Sequence, residues 1–122
     1  MKILIVDDSP TDRQYLKEIL SRLGYQCVMA ANGDEGIEMA RSESPDLILM
    51  DVQMPVMDGF QATARIREAE QSTGRHLPIV AITAHALKGD RERCLEAGMD
   101  GYLSKPIRYQ DLIAAIAELD SP

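Results

Sequence analysis

Polar residues suited to phosphate and metal chemistry follow four short apolar stretches of the chain. Asp7 and Asp8 follow the first stretch, and Asp51 follows the second. Thr83 and Lys105 follow the third and fourth. Carboxylates are ligands that Mg²⁺ prefers, a carboxylate can accept a phosphoryl group, and a hydroxyl and an ammonium can bind phosphoryl oxygens. These residue types therefore predict phosphoryl transfer with a divalent cation, provided that they lie together.

The apolar stretches that precede these residues have the length of buried strands. They cover residues 3–6, 47–50, 79–82 and 101–104. Uninterrupted apolar runs of about four to eight residues, separated by helical segments, are typical of parallel strands with helices on both faces. Ligand sites in such sheets form at the carboxyl ends of the strands. We therefore expect the five polar side chains to share one rim of the sheet.

Helix signals alternate with strands along the whole chain. A further strand is predicted over residues 27–30, and helices are predicted over residues 10–23, 34–42, 60–69, 88–97 and 109–119. The second helix has a thin apolar stripe, so we expect it to be the least well anchored. This alternation predicts an α/β fold, a single doubly wound sheet of five parallel strands with five helices. One domain should span residues 1–122, with a short polar tail at 120–122.

Charge and composition exclude several classes of function. Thirteen Lys and Arg against twenty Asp and Glu give a net charge of −7, which argues against direct nucleic-acid binding. The longest purely apolar run, residues 112–117, is far shorter than a bilayer span of about 20 residues. The N-terminus does not resemble a signal peptide. Cys27 and Cys94 lack metal-ligand spacing, so we expect two free thiols in a cytoplasmic protein without membrane contact.

Each candidate residue also has an ordinary structural explanation. Adjacent acids after a strand can cap a helix, a threonine can pack at a strand end, and a lysine is usually solvated. Only the four strand ends taken together favour a shared site. Among the acids we select Asp51 as the nucleophile, because the third strand can lie centrally, with the other acids on one side and Thr83 and Lys105 on the other.

The chain resembles the receiver domain of two-component response regulators. The resemblance covers essentially the whole chain and rests on four segments, Lys2–Asp8, Met50–Gly59, Ile82–Ala84 and Tyr102–Pro106. It implies a flavodoxin-like (βα)5 fold with strand order 2-1-3-4-5. It also implies a phosphoacceptor signalling domain rather than an enzyme, one that assists only its own phosphorylation and dephosphorylation.

The resemblance assigns a role to each residue of the rim. Asp51 would be the phosphoacceptor, and it would bind Mg²⁺, or Mn²⁺ as a substitute, together with Asp7, Asp8 and the backbone carbonyl of Gln53. Thr83 would be the switch hydroxyl, and Lys105 would be the phosphate-binding lysine.

The resemblance also implies a conformational switch. Phosphorylation would draw Thr83 and Lys105 inward, the loop from Ala84 to Leu87 would follow, and Tyr102 would turn into the vacated space. The face made by the fourth helix, fifth strand and fifth helix would then change shape. Lys105 and Pro106 match a position where receivers carry a cis peptide. Gln53 and His85 match positions that tune the lifetime of the acyl phosphate.

The resemblance further implies partners. The donor would be a phosphohistidine on a histidine kinase or a histidine phosphotransfer protein, and we predict that it docks on the surface near Asp12, Tyr15, Leu16 and Ile107. The target would be a downstream protein or other domains of a longer parent chain. Residues 81–90 and 94–102 look most like receivers of hybrid sensor kinases, whereas Asp7–Pro10 looks more like a free-standing regulator, so both parentages stay open.

Three other classes use related features. A haloacid dehalogenase-like phosphatase would need Asp-x-Asp after the first strand, whereas Asp7 and Asp8 are adjacent. A flavodoxin-like cofactor binder would need a hydroxyl- and glycine-rich phosphate loop after the first strand, whereas this chain has acids there. An unphosphorylated receiver-fold interaction module would not need the acids, Thr83 and Lys105 that this chain retains.

Overall fold

The computed structural model describes residues 1–84 and 88–120. His85 and the predicted tail residues Ser121 and Pro122 lie outside the described residues. Within the described part, five strands alternate with five helices: β1 (Lys2–Val6), α1 (Pro10–Arg22), β2 (Gln26–Ala30), α2 (Gly33–Ser42), β3 (Leu47–Asp51), α3 (Gly59–Glu70), β4 (Ile79–Thr83), α4 (Asp90–Glu96), β5 (Gly101–Ser104) and α5 (Tyr109–Asp120).

The strands form one parallel sheet in the order β2-β1-β3-β4-β5. The predicted fold class and strand order are therefore confirmed. Met50 pairs with Val6 on one side and with Ala81 on the other, so the carboxyl ends of β1, β3 and β4 lie level. The central strand β3 is buried along its whole length. Its last residue, Asp51, therefore emerges in the middle of the rim.

Apolar side chains alternate between the two faces of the sheet and form two separate cores. On one face, Ile3 and Ile5 pack with Leu16 and Leu20 of α1 and with residues of α5. On the other face, neighbouring strand residues pack with α3 and α4, including Ala62, Ile66 and Cys94. Helices therefore cover both faces, which is why the strands read as continuous apolar runs in the sequence.

Polar caps fix where three of the helices begin. Ser9 accepts a hydrogen bond from the backbone of Asp12 at the start of α1, and Asn32 caps α2 in the same way. Asp58 and Gln61 form a reciprocal capping box at the start of α3. These caps place the loops after β1 and β3, which carry the acids, at fixed positions on the rim.

Several helix ends differ from the prediction. Helix α4 begins at Asp90 instead of residue 88, because Gly89 adopts a left-handed conformation with φ of 90°. Helix α5 includes Asp120, which the sequence placed in the tail. Helix α2 is anchored by more than its thin apolar stripe, since a Cβ on Gly36 would lie 2.9 Å from a methyl group of Val6. The helix backbone thus packs directly on β1.

None of the described helices has both the length and the apolar composition to span a membrane.

Candidate functional site

Asp51 occupies the centre of the carboxyl rim of the sheet. Only 3% of the residue is exposed, and its Oδ1 accepts a hydrogen bond from the backbone N–H of Gln53 at 3.0 Å. Burial and the nearby charge of Asp7 raise the pKa of Asp51 to about 7, against the opposing effects of the Gln53 N–H and the Lys105 ammonium. The ionised form of Asp51 is therefore disfavoured at this position, and a nearby cation would stabilise it.

Asp7 and Asp8, in the loop after β1, form an acidic cluster with Asp51. One carboxylate oxygen from each residue lies within 4.8 Å of the others. Asp7 is fully buried, and its Oδ1 accepts a hydrogen bond from the Ser9 N–H at 2.9 Å. Asp7 Oδ2 forms an ion pair with the Lys105 ammonium at 3.2 Å, but it accepts no hydrogen bond of good geometry from the described residues. A buried carboxylate oxygen in this situation, beside two other carboxylates, fits a hard divalent cation.

Lys105 brings a positive charge to the cluster. Its ammonium nitrogen lies 2.8 Å from Asp12 Oδ2, 3.2 Å from Asp7 Oδ2 and 3.6 Å from Asp51 Oδ2. Burial disfavours its charge, but the hydrogen bond to Asp12 and the charges of Asp51 and Asp7 outweigh burial and raise the pKa of Lys105. The Lys105–Pro106 peptide bond is cis. Lys105 therefore lies beside the acidic cluster without a phosphoryl group, and its movement toward Asp51 on phosphorylation stays a prediction.

Thr83 ends β4 beside Asp51 and is buried. Its backbone carbonyl accepts a hydrogen bond from the Lys105 N–H at 2.7 Å, so the strand ends that carry these two residues are tied together. The next residue, Ala84, is exposed. A cleft of about 620 Å³ lies against Thr83 and Gln53, and gives this side of the rim room for a ligand.

Tyr102 lies on β5, half-buried, and packs against the core beneath α3 and α4. Burial, with smaller effects from Asp90 and Cys94, raises the pKa of Tyr102. Its strand partner is Ala81, two residues before Thr83. Tyr102 therefore lies two strands away from Asp51, with β4 between them, on the face that α4, β5 and α5 form.

Comparisons with known proteins assign the family. Residues 3–117 match the family described as response regulator receiver domain. The chain belongs to this family. It is 48% identical over 114 residues to hybrid signal transduction histidine kinase G of Dictyostelium discoideum, and the match covers 92% of this chain but only 3% of that kinase. The chain therefore spans a small fraction of this relative.

Two solved receiver structures are similar in fold and sequence. One is the receiver domain of sensor histidine kinase PA1611 from Pseudomonas aeruginosa PAO1 with a magnesium ion in its active site cleft, with 41% identity, a TM-score of 0.87 and 98% coverage of both chains. The other is the co-crystal structure of the Saccharomyces cerevisiae phosphotransfer protein Ypd1 with the receiver domain of Ssk1, with 31% identity, a TM-score of 0.89, and coverage of 98% of this chain and 88% of that one.

The predicted docking surface of this receiver needs correction. Leu16 and Ile107 are buried core residues, so their side chains offer almost no surface to a partner. Leu16 follows Tyr15 by one residue, which on a helix turns the side chain by about 100° from the solvent to the sheet. Tyr15 is exposed, and its hydroxyl donates to the Ile107 carbonyl at 2.9 Å. Of the four residues predicted for docking, Asp12 and Tyr15 are the two whose side chains reach the surface.

Two residues of the receiver site were missed or misplaced by sequence reasoning. Asp12, predicted only as a docking residue, is the hydrogen-bond partner of Lys105. Arg13 donates to the backbone carbonyl of Asp7 at 2.6 Å and so holds the loop that carries both acids. A cation within one helical turn of Asp7 and Asp8 could have been predicted from the sequence to contact their loop. Nothing in the sequence links Asp12 to a lysine 93 residues away.

Proposed function

We propose that this receiver domain accepts a phosphoryl group on Asp51 from a phosphohistidine and signals through the resulting change of shape. One observation carries the proposal: the buried Asp51 carboxylate stands at the centre of the rim, clustered with Asp7 and Asp8 and 3.6 Å from the Lys105 ammonium. A nucleophilic carboxylate, acidic ligands and a compact cation at one point are what phosphoryl transfer requires. The domain acts stoichiometrically, not as an enzyme with turnover.

In the transfer step, a carboxylate oxygen of Asp51 attacks the phosphorus atom in line with the leaving imidazole nitrogen. The new P–O bond forms as the P–N bond breaks, and the bonding electron pair stays on the imidazole nitrogen, which takes a proton from solvent. Charge spreads over the phosphoryl oxygens in the transition state. Lys105, already at the pocket, neutralises part of that charge, and the Thr83 hydroxyl can donate to one oxygen.

The acidic cluster is suited to holding Mg²⁺, with Mn²⁺ as a substitute. Asp7, Asp8 and Asp51 would supply carboxylate oxygens, and the backbone carbonyl of Gln53 would supply a neutral ligand. A bound ion would offset the negative charge of the acids and of the phosphoryl group. The buried Oδ2 of Asp7, which accepts no hydrogen bond of good geometry from the described residues, and the magnesium ion in the cleft of the PA1611 receiver domain support this assignment.

The signal would arise as a shift between two conformations of the face made by α4, β5 and α5. A phosphoryl group on Asp51 adds charge and acceptor oxygens, which the Thr83 hydroxyl and the Ala84 backbone can engage by moving inward. Tyr102 would then turn toward the space left by Thr83 and reshape the face of α4, β5 and α5. A Tyr102→Ala variant that accepts phosphate and still shows the full change on that face would rule out this aromatic relay.

The partners follow from the same chemistry. The donor would be a histidine kinase or a histidine phosphotransfer protein, and the Ypd1–Ssk1 complex supports the latter because it seats a related receiver on such a protein. The target would be either another domain of a hybrid kinase or a separate protein. The match to a hybrid kinase of Dictyostelium supports the first. The predicted lifetime-tuning role of Gln53 and His85 belongs to this proposal.

The decisive experiment measures covalent labelling of Asp51. The protein is incubated with Mg²⁺ and phosphoramidate, whose P–N bond resembles that of phosphohistidine, and intact mass and peptide mapping are recorded. We expect one phosphoryl group per chain, located on Asp51, and none in Asp51→Asn. Asp34→Asn, which removes an exposed acid of α2, should label like the wild type. A wild-type chain that never takes the label would favour the unphosphorylated interaction module, and turnover of phosphate esters would favour a phosphatase.

A further inference from the structure

The shortest contact of the Lys105 ammonium is with Asp12 rather than with the acid proposed to carry the phosphoryl group. The distance from Nζ is 2.8 Å to Asp12 Oδ2 but 3.6 Å to Asp51 Oδ2. The first contact meets hydrogen-bond geometry, whereas the second is a longer ion pair. Charge-assisted hydrogen bonds of 2.7–2.9 Å are the strong ones. Lys105 is therefore held toward α1.

Asp12 is positioned to hold the lysine without belonging to the acidic cluster. It lies in the first turn of α1, where its backbone N–H donates to the capping Ser9 hydroxyl at 3.3 Å. Its side chain is 41% exposed, whereas those of Asp7 and Asp51 are 0% and 4% exposed. Water can therefore replace Lys105 as the partner of Asp12. The lysine is free to transfer to a new anion on Asp51 at a modest cost.

We propose that Asp12 is a positioning residue that competes with the phosphoryl group on Asp51 for the ammonium of Lys105, and so lowers the phosphorylated fraction of the protein. The inference rests on the proposed phosphoacceptor function of Asp51. It assigns to Asp12 a role inside the site, distinct from the docking role expected from the sequence. Asp12 thereby sets how much Lys105 contributes to the free energy of binding the phosphoryl group on Asp51.

The test uses beryllofluoride, an analogue of the phosphoryl group that needs no partner protein and therefore excludes effects on docking. Beryllofluoride is titrated into the protein at saturating Mg²⁺, and the bound fraction is measured by ¹⁹F NMR. Because an exposed ion pair contributes little, we expect Asp12→Asn to lower the dissociation constant by about three- to fivefold. Asp12→Glu, which keeps the carboxylate, should bind nearly as the wild type does.

Two controls separate competition for Lys105 from a general charge effect. Glu18→Gln removes an exposed acid from the same helix and should leave the dissociation constant unchanged. In a Lys105→Ala background, Asp12→Asn should no longer tighten binding. An equal gain with and without the lysine would overturn the proposal. If the Lys105→Ala protein binds too weakly to titrate, Asp12→Glu decides, because a gain as large as that of Asp12→Asn would equally contradict it.

The outcomes also separate this inference from the proposed function. If Asp51→Asn binds beryllofluoride as the wild type does, the phosphoacceptor assignment itself fails. If binding depends on Asp51 but Asp12→Asn leaves the dissociation constant unchanged, only the competition by Asp12 is wrong.

Discussion

Gly59, the first residue of α3, packs directly against the backbone carbonyl group of Asp51. A Cβ at position 59 would overlap that carbonyl oxygen and would lie 2.9 Å from the Cα of Val52. The Gly59 N–H also donates to the Val52 carbonyl at 2.9 Å. The start of α3 thus packs against the end of β3. The backbone of Asp51 can keep this position only because residue 59 has no side chain.

Gly59→Ala should therefore destabilise the protein and displace Asp51. The clash is with backbone atoms, which cannot move aside as a flexible side chain can, so we expect a loss of about 2–3 kcal/mol in the free energy of unfolding. Urea unfolding measures the loss. Gly36→Ala is the matched comparison, because the three atoms nearest to its Cβ would all belong to the side chain of Val6. A smaller loss of stability for Gly59→Ala than for Gly36→Ala would contradict the proposed backbone contact between Gly59 and Asp51.

Asp51→Asn should stabilise the metal-free protein at pH 8 but not at pH 4. The pKa of Asp51 is raised to about 7 in the fold, while an unfolded Asp titrates near 3.9. The protonated form therefore favours folding at low pH, and this contribution disappears as the pH rises through 7. We expect a gain of about 2 kcal/mol for the variant at pH 8, since the amide removes a buried charge.

Urea unfolding of both proteins in EDTA at several pH values measures this difference. Glu68→Gln, at an exposed position of α3, is the charge-matched control and should change little at either pH. A gain for Asp51→Asn that is equal at pH 4 and pH 8 would mean that packing, and not the carboxylate charge, is responsible. Adding Mg²⁺ should stabilise the wild type more than the variant at pH 8.

The sequence predicted the alternation of strands and helices and the rim because both depend on local patterns, whereas the strand order came from the resemblance to receiver domains. Apolar runs identify buried strands, and polar residues at their ends identify the rim, so Asp7, Asp51 and Thr83 could be placed from spacing alone. The pairing of Asp12 with Lys105 could not, because it depends on how α1 turns against the loop after β5. The prediction that Leu16 belongs to the docking surface fails for a different reason, because its helical spacing with Leu20 already indicates the buried face of α1.

Val56→Gly should stabilise the protein. Val56 has a φ of 69° and is 100% exposed, so a β-branched residue holds a left-handed conformation with no packing in return. The Cβ clash in this region costs about 1–2 kcal/mol, and the extra flexibility of an unfolded glycine offsets part of the gain. We expect about 1 kcal/mol more stability by urea unfolding. Val56→Ala keeps a Cβ, so its gain in stability should be smaller. An equal gain would mean that the β-branch of valine, and not its Cβ, causes the strain.

Arg67 links three segments at the amino end of the sheet, opposite the acidic cluster. It donates to the Gly98 carbonyl at 2.8 Å and to the carboxylates of Glu70 and Asp100 at 2.6 and 2.8 Å. Asp100 also accepts a hydrogen bond from the Ile79 N–H at 2.9 Å and lies 2.6 Å from His76 Nε2. The network therefore holds the starts of β4 and β5 to the end of α3.

Arg67→Met should destabilise the protein by about 2–3 kcal/mol, because it leaves two poorly solvated carboxylates without their shared cation. The Arg67 side chain is only 17% exposed. Arg41→Met is the control, since Arg41 pairs with Glu38 on the surface at 75% exposure and should change the free energy of unfolding much less. Beryllofluoride affinity, measured where Arg67→Met is fully folded, should match the wild type. A loss of that affinity would mean that the two ends of the sheet are coupled.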